Sequence, residues 1–281
     1  QVVVDGLIVG FIFALVAVGL TLIYGVMDIV NFAHGEFMML SMYLTFFLWK
    51  YYGLDPLFSL PITVPALFLV GVLTYRLLIR HVLDAALIAQ IFITFGLLIF
   101  LQAAANFLWK ADFRNVGDNL LTGIYEVRGL LFNLSEVAAA LGALATTFAI
   151  FLFINHTETG MALQATAQDR PAARLMGIDT DRMFALAWGI GAASVAVAGS
   201  LLATYFSISP LVGATWVLPA YVAVALGGFG SVVGAFYGGL LIGLVEVVGG
   251  FFTSPNYKFV FVYLIYLIIV FVRPRGLLGT R

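Results

Sequence analysis

Along this chain apolar residues come in blocks of about twenty, long enough as helices to cross a hydrocarbon core of ~30 Å, and polar residues gather between the blocks. The blocks predict spans over residues 6–29, 57–78, 85–109, 134–154, 183–206 and 259–272. Shorter apolar pieces occupy 38–49 and 216–226, and a further helix ends near residue 248 behind the glycine-rich stretch 227–239. The 216–226 piece is too short to cross alone and is either spanning with help or re-entrant. Pro56, Pro61 and Pro65 mark the entry to the third span, and Pro210, Gly213 and Pro219 break the chain around the short piece. The pattern predicts an all-α fold, a polytopic transmembrane helical bundle of eight or nine membrane segments, some broken or re-entrant, forming one domain over 1–281.

Two places depart from this rhythm. No loop separates the first run from the second, so Asp28, Asn31, His34 and Glu36 are expected at or just inside the membrane boundary. Irregular backbone at that depth persists only where it is buried in protein or lines a watery cavity. The segment is therefore either an interfacial turn or a broken helix beside a translocation path. The other departure is the polar island 155–182, which holds Glu158, Asp169, Arg170, Arg174, Asp179, Asp181 and Arg182, seven of the chain's 13 basic and 14 acidic side chains.

The island keeps a helical pattern of its own. Residues 160–168 are good helix formers, Asp169-Arg170-Pro171 reads as a stop and a new start with Pro171 at a first helical position, and Gly177 terminates a second short helix over 172–176. Helices this short are marginal in water. They are either a solvated loop that happens to be helical or, as their small apolar side indicates, a pair that seats in a groove of another protein.

Smaller signals refine the picture. Gln90, Thr94, Gly96 and Gln102 are the polar or backbone-exposing positions of the fourth span, and Thr94 either bonds back to its own helix or faces a path. Gly189, Gly191 and Gly199 suit close helix packing. Glycine at the density of 227–239 weakens a helix, and is useful where backbones approach closely or an unwound backbone lines a cavity. The mixed-charge loop 110–128 is long enough for a small external cap. Stretches 19–43 and 199–221 echo each other, each a helix, a break and another apolar helix, in the manner of an inverted repeat.

Composition agrees with a membrane protein: 63% apolar and 10% charged residues, with a mean hydropathy of +1.11. A net charge of −1 gives no electrostatic argument for nucleic acid. There is no cysteine, and the three histidines lack metal-ligand spacing, so neither a metal nor a cofactor is expected. GxxxxGK[ST], HExxH and GxSxG are all missing, which argues against a nucleotide site or an intramembrane enzyme. Lys and Arg divide eight to five between the two sides, with Arg76, Arg80, Arg170, Arg174, Arg182, Arg273, Arg275 and Arg281 on the richer, cytoplasmic one. Lys50, Lys110, Arg114, Arg128 and Lys258 take the other, so the chain starts outside and ends inside. Because it begins at Gln1 within an apolar stretch, its natural start is expected to lie upstream.

Three phrases carry a resemblance: Asn31-Phe-Ala-His-Gly-Glu-Phe37; Gly160-x-Ala-Leu-Gln-Ala-x-Ala-Gln-Asp169 followed by Ala173-Arg174-Leu-Met-Gly-Ile-Asp179; and Leu226-Gly-Gly-x-Gly-Ser-x-x-Gly-Ala235. Through them the chain resembles, nearly end to end, the inner-membrane permeases of ATP-binding-cassette importers for branched-chain amino acids. Permeases for urea and short-chain amides are similar to these. The resemblance implies that the island is a coupling helix seated in a cytoplasmic ATPase, with Gly160, Ala165, Gln168, Asp169, Arg170, Pro171, Arg174 and Gly177 as its coupling residues. It implies two ATPase subunits, a second related permease subunit, an external substrate-binding protein, and a path at the permease–permease interface. Candidates for that path are Asn31, His34, Glu36, Thr94, Gly227, Gly228, Gly230 and Ser231. Glu246 is either a helix-end residue reaching the interface or a ligand. The reading from another class is a secondary transporter driven by protons or Na⁺ through Asp28, His34 or Glu36.

Overall fold

The computed structural model describes residues 1–127, 129–273 and 276–278; Arg128, Arg275 and Arg281 of the charge count lie outside them. In chain order the elements are α1 (Val2–Met27), α2 (His34–Tyr52), α3 (Pro56–Leu77), α4 (Leu87–Trp109), the strands β1 (Ile124–Val127) and β2 (Leu130–Asn133), and α5 (Leu134–His156). There follow α6 (Glu158–Gln168), α7 (Arg170–Leu175), α8 (Thr180–Leu202), α9 (Val212–Gly227), α10 (Val232–Phe252) and α11 (Lys258–Val272). Seven helices among the described residues are long and apolar enough to cross a membrane. The last of them is α11 taken together with the turn that opens it, Pro255–Val272. Two further apolar helices fall outside the seven: α2, which carries His34, Glu36 and Lys50, and α9, which at 16 residues is short of the ~20 that a span needs.

Helix α1, and α8 beyond its charged first turn, are predominantly apolar and buried almost all round, so they form the centre. Small residues let their neighbours come close. Helix α10 runs antiparallel against α1, with Gly6 opposite Leu244 and Gly10 opposite Leu240. Helix α3 lies against α8 in the same manner, with Tyr75 edge-on to Phe184, Gly71 at Trp188, and Thr63 at Ser200. A chain of buried hydroxyls stitches α3, α2 and α8 together. Ser59 Oγ donates to Thr45 Oγ1 at 3.3 Å, Thr45 to Ser200 Oγ at 2.9 Å, and Ser200 to Thr63 Oγ1 at 2.9 Å. Polar contacts of this kind join helices where no hydrophobic drive exists between them.

The outermost helices are α4 and α11, whose Phe92, Phe100, Phe107 and Phe271 are exposed. One end of the bundle is capped by the antiparallel β1–β2 hairpin and by Arg114, whose backbone pairs with that of Ile208. Helix α3 covers the expected third span, with Pro56 at its start and Pro61 and Pro65 in its first half. One sequence expectation is corrected here: Gly213 and Pro219 do not break the chain but lie inside α9. Each proline removes one helical hydrogen bond, but neighbouring helices hold the segment in line, so the helices continue through them.

Candidate functional site

After α1 the chain turns back on itself. Asp28 caps the helix in the left-handed region at φ 57°, and residues 29–33 run back along α1 until His34 opens α2. His34 Nε2 lies 3.2 Å from the carbonyl oxygen of Val16. A carbonyl only accepts, so Nε2 carries the hydrogen and Nδ1 is left with no partner among the described residues. Val16 stands eleven residues back from the end of α1, so the chain has returned by roughly 16 Å. The break therefore lies deeper than the boundary position expected from sequence: Asp28 is exposed, but Asn31, His34 and Glu36 are fully buried.

The irregular backbone is satisfied by specific side chains, as burial requires. Thr94 of α4 is fully buried; its hydroxyl donates to the carbonyl of Val30 at 3.0 Å and also lies 3.1 Å from its own-helix carbonyl at Ile91. The Tyr221 hydroxyl of α9 donates to the carbonyl of Asn31 at 2.5 Å. Asn31 Oδ1 accepts from the backbone N–H of Ala33 at 3.1 Å. Phe32 packs edge-on to Phe95 and against Tyr221. Sequence reasoning missed Tyr221, because a tyrosine within an apolar run carries no local signal of its partner.

The start of α2 meets the start of α9. A Cβ added at Gly35 would come 2.6 Å from the Gly213 carbonyl oxygen, and one added at Gly213 would come 2.5 Å from that of Gly35. Only glycine allows this approach. Two helix N-termini, each the positive end of its dipole, thus converge beside the carboxylate of Glu36. Glu36 Oε1 accepts from Gln102 Nε2 at 3.0 Å, and Oε2 has no partner among the described residues. Gln102 also lines an open groove of about 380 Å³ with Asn106, Phe113, Ser209 and Pro210.

The island folds as two helices, each with a side-chain cap. Thr157 Oγ1 accepts from the N–H of Gly160 at 3.0 Å, and Asp169 Oδ1 from that of Ala172 at 2.9 Å. Pro171 occupies the second helical position rather than the first. Gly177, at φ 82°, closes α7 with its N–H on the Arg174 carbonyl while Ile178 N–H reaches Ala173. The pair is moored to the bundle: Arg170 pairs with Asp84 at 3.3 Å and lies 4.9 Å from the Phe184 ring centre, and Arg174 Nε donates to Thr180 at 2.9 Å. Gly160 sits on the carbonyls of Phe153 and Ile154, and Ala165 is half-buried. Met161, Leu175 and Met176 are exposed, leaving apolar surface uncovered. Gln168, Asp169, Arg170 and Pro171 share a groove of about 380 Å³ with Met27 and Asp28 at the end of α1.

Gly227 to Ser231 form a tight turn between α9 and α10, not an unwound stretch of helix. Gly228 and Gly230 take positive φ, and Ser231 Oγ caps α10 by accepting from Gly234 N–H at 3.0 Å. Gly230 faces Gly25 and lines a small cleft with Thr21 and Gln164. The turn is thus next to the island and remote from Glu36 along α9. No group of acidic, histidine or cysteine side chains with metal-holding geometry occurs among the described residues.

A family model described as "Branched-chain amino acid transport system / permease component" matches residues 2–271. The chain is 30% identical to the high-affinity branched-chain amino acid transport system permease protein BraD of Pseudomonas aeruginosa, over 99% of this chain and 95% of that protein. It is 32% identical to the permease protein LivH of the same kind of system in Escherichia coli K12, over 98% and 94%. To the probable branched-chain amino acid transport permease protein LivH of Methanocaldococcus jannaschii it is 29% identical, over 83% and 75%.

Proposed function

The chain belongs to the family of permease components of branched-chain amino acid transport systems, a multi-pass membrane transport protein and not an enzyme, and from that premise we propose that it forms the membrane path for a branched-chain amino acid and is driven by cytoplasmic ATPases through α6 and α7. The observation that carries the drive is the groove shared by Gln168–Pro171 and Met27–Asp28. A push on the island there reaches the end of α1, and from it the broken segment that holds Asn31, His34 and Glu36. The exposed Met161, Leu175 and Met176 are the apolar surface that an ATPase cleft would cover.

In this reading two ATPase subunits sit at the island's end, which is cytoplasmic. A second, related permease subunit completes the path, and an external binding protein delivers substrate at the hairpin end. Gly160 and Ala165 seat α6 on α5, Asp169 and Pro171 set the start of α7, and Arg170, Arg174 and Gly177 fix its angle. A zwitterion crossing an apolar bundle must be met by groups that do not trap it. The converging N-termini of α2 and α9 beside Glu36 supply dipoles of that kind, with Thr94 bracing the segment. The turn Gly227, Gly228, Gly230 and Ser231 is the joint about which α9 and α10 shift.

The test is to purify the chain with its bound subunits, identify them by mass spectrometry, and measure ATP-dependent uptake of leucine and of urea in proteoliposomes. Leucine uptake that needs ATP and survives an uncoupler is expected. Uptake of urea alone would move the substrate, and uptake driven by an ion gradient without ATP would replace the mechanism. Arg174→Ala should release the ATPases and stop uptake; normal co-purification would end the docking role.

A further inference from the structure

At the hairpin end of the bundle, away from the island, a cavity of about 190 Å³ lies among α1, α5, α9, α10 and α11. It is smaller than the ~300–1,000 Å³ typical of pockets for drug-sized ligands, and suits a small solute. One wall is aromatic: Trp216 packs on Phe13 at 5.3 Å between ring centres and on Phe206 at 5.4 Å. Its lining also includes Glu246 and Lys258, whose ammonium bonds Glu246 Oε1 at 2.5 Å.

Two residues of its wall each carry a polar atom that is unused and lies just behind the cavity surface. Glu246 is only 4% exposed and its Oε2 has no partner; Trp216 is 5% exposed and its indole N–H has none, in both cases among the described residues. Leaving such atoms unpaired is unfavourable, the more so for a charged group. A third free group follows from Pro219. Having no N–H, it leaves the carbonyl of Thr215, four residues earlier and also on the cavity wall, without its helical donor. Glu136 lines the same space, so two carboxylates face one ammonium and the site favours a further positive group.

We infer that this cavity binds a zwitterionic α-amino acid with an apolar side chain: its ammonium on Glu246 and the Thr215 carbonyl, its carboxylate on Lys258 and the Trp216 N–H, its side chain on Phe13 and Phe206. Lys258 keeps two further donors after bonding Glu246, so the ligand extends the ion pair into a ladder of alternating charge. The inference rests on the proposed function, adding a receiving site on the side where substrate arrives. Urea, which has neither charge, leaves the ladder unmade. A phosphatidylethanolamine headgroup carries an ammonium and an anion too, but has no apolar side chain for the aromatic wall.

The test uses the whole purified assembly in phosphatidylcholine nanodiscs without binding protein, with labelled leucine measured by scintillation proximity. Leucine should bind and be displaced by valine; leucinol and 4-methylpentanoate, each lacking one charge, should compete more weakly, and urea not at all. Glu246→Gln should weaken leucine and leucinol by about tenfold, the worth of one hydrogen bond to a charge. Trp216→Phe, which keeps the ring wall, should weaken leucine less. The double variant E246Q/K258M leaves no lone buried charge and guards against misfolding. Unchanged leucine affinity in that variant, or binding that vanishes when phosphatidylethanolamine is added, overturns the inference. ATP-driven leucine uptake by the same wild-type preparation, reconstituted in proteoliposomes with its binding protein, separates the two readings: if uptake is present while the variants bind normally, only this site falls; if uptake is absent, the proposed function falls.

Discussion

Substituting Gly35 by alanine tests whether the meeting of α2 and α9 is as close as it needs to be. The added Cβ would come 2.6 Å from the Gly213 carbonyl oxygen and 2.9 Å from both the Gly213 carbonyl carbon and Val217 Cβ. Backbone atoms and a β-branched carbon cannot rotate away. The helices must therefore part by roughly 1 Å to restore van der Waals separation, and overpacking of this kind costs about 1–3 kcal/mol. Alanine also gains up to ~1 kcal/mol of helix propensity over glycine, so the steric cost must be read against a control. Gly96 supplies it, because a Cβ there meets nothing within 4 Å. In thermal unfolding of the purified assembly, Gly35→Ala should be less stable than Gly96→Ala by about 1–3 kcal/mol. Gly213→Ala attacks the same contact from the other side, so the double variant should cost less than the two singles together. Equal stability of Gly35→Ala and Gly96→Ala, or strict additivity of Gly35 and Gly213, would refute the close approach.

Three further outcomes follow. Thr45→Val breaks the hydroxyl chain among Ser59, Ser200 and Thr63, and should cost about 0.6 kcal/mol and at most ~1.7 in thermal unfolding. Asp169→Ala removes the cap on α7 and should cost that helix about 1 kcal/mol, seen as faster amide exchange over 170–175. Glu36→Gln should cut ATP-driven uptake by about tenfold, the worth of one hydrogen bond to a charge, without loss of assembly, since the amide can still pair with Gln102; unchanged uptake would remove Glu36 from the path.

The long helices were legible because a run of twenty apolar residues has few other ways to satisfy its backbone. The caps of the island were legible for a local reason: the aspartate at 169 and the glycine at 177 act on atoms within four residues of themselves. What sequence pattern could not locate was anything decided across the bundle. Gly213 and Pro219 weaken a helix locally, yet α9 runs through both, because Gly213 is needed against Gly35 and the surrounding helices hold the remainder. Thr94 could be read from sequence as bonding to its own helix, but its nearness to the Val30 carbonyl of another segment as well as to Ile91 could not. The depth of the break was hidden too, since only the return of His34 to Val16 reveals it.

The echo between 19–43 and 199–221 takes a more definite form in the packing. Helix α10 lies antiparallel on α1 as α3 lies antiparallel on α8, and α1 and α8 themselves run in opposite senses, with Gly19 beside Gly191 and Ser194 while Ile23 reaches Gly191. Gly35 meets Gly213 at the first turn of α2 and of α9, so corresponding positions of the two stretches touch, as an inverted repeat requires. The echo's alignment of Tyr43 with Tyr221 keeps this same offset, but its pairing of Gly19 with Gly199 is eight residues away from the contact with Gly191. The two junctions have different surroundings. The first broken junction adjoins the groove of the island, and the second, before α9, is tied through Ile208 to Arg114 in the cap at the opposite end. Under the proposed function, force from the ATPases enters at one junction and the arrival of a loaded binding protein is felt at the other. In that same reading, the contact of α2 and α9 at two glycines is what couples the two junctions.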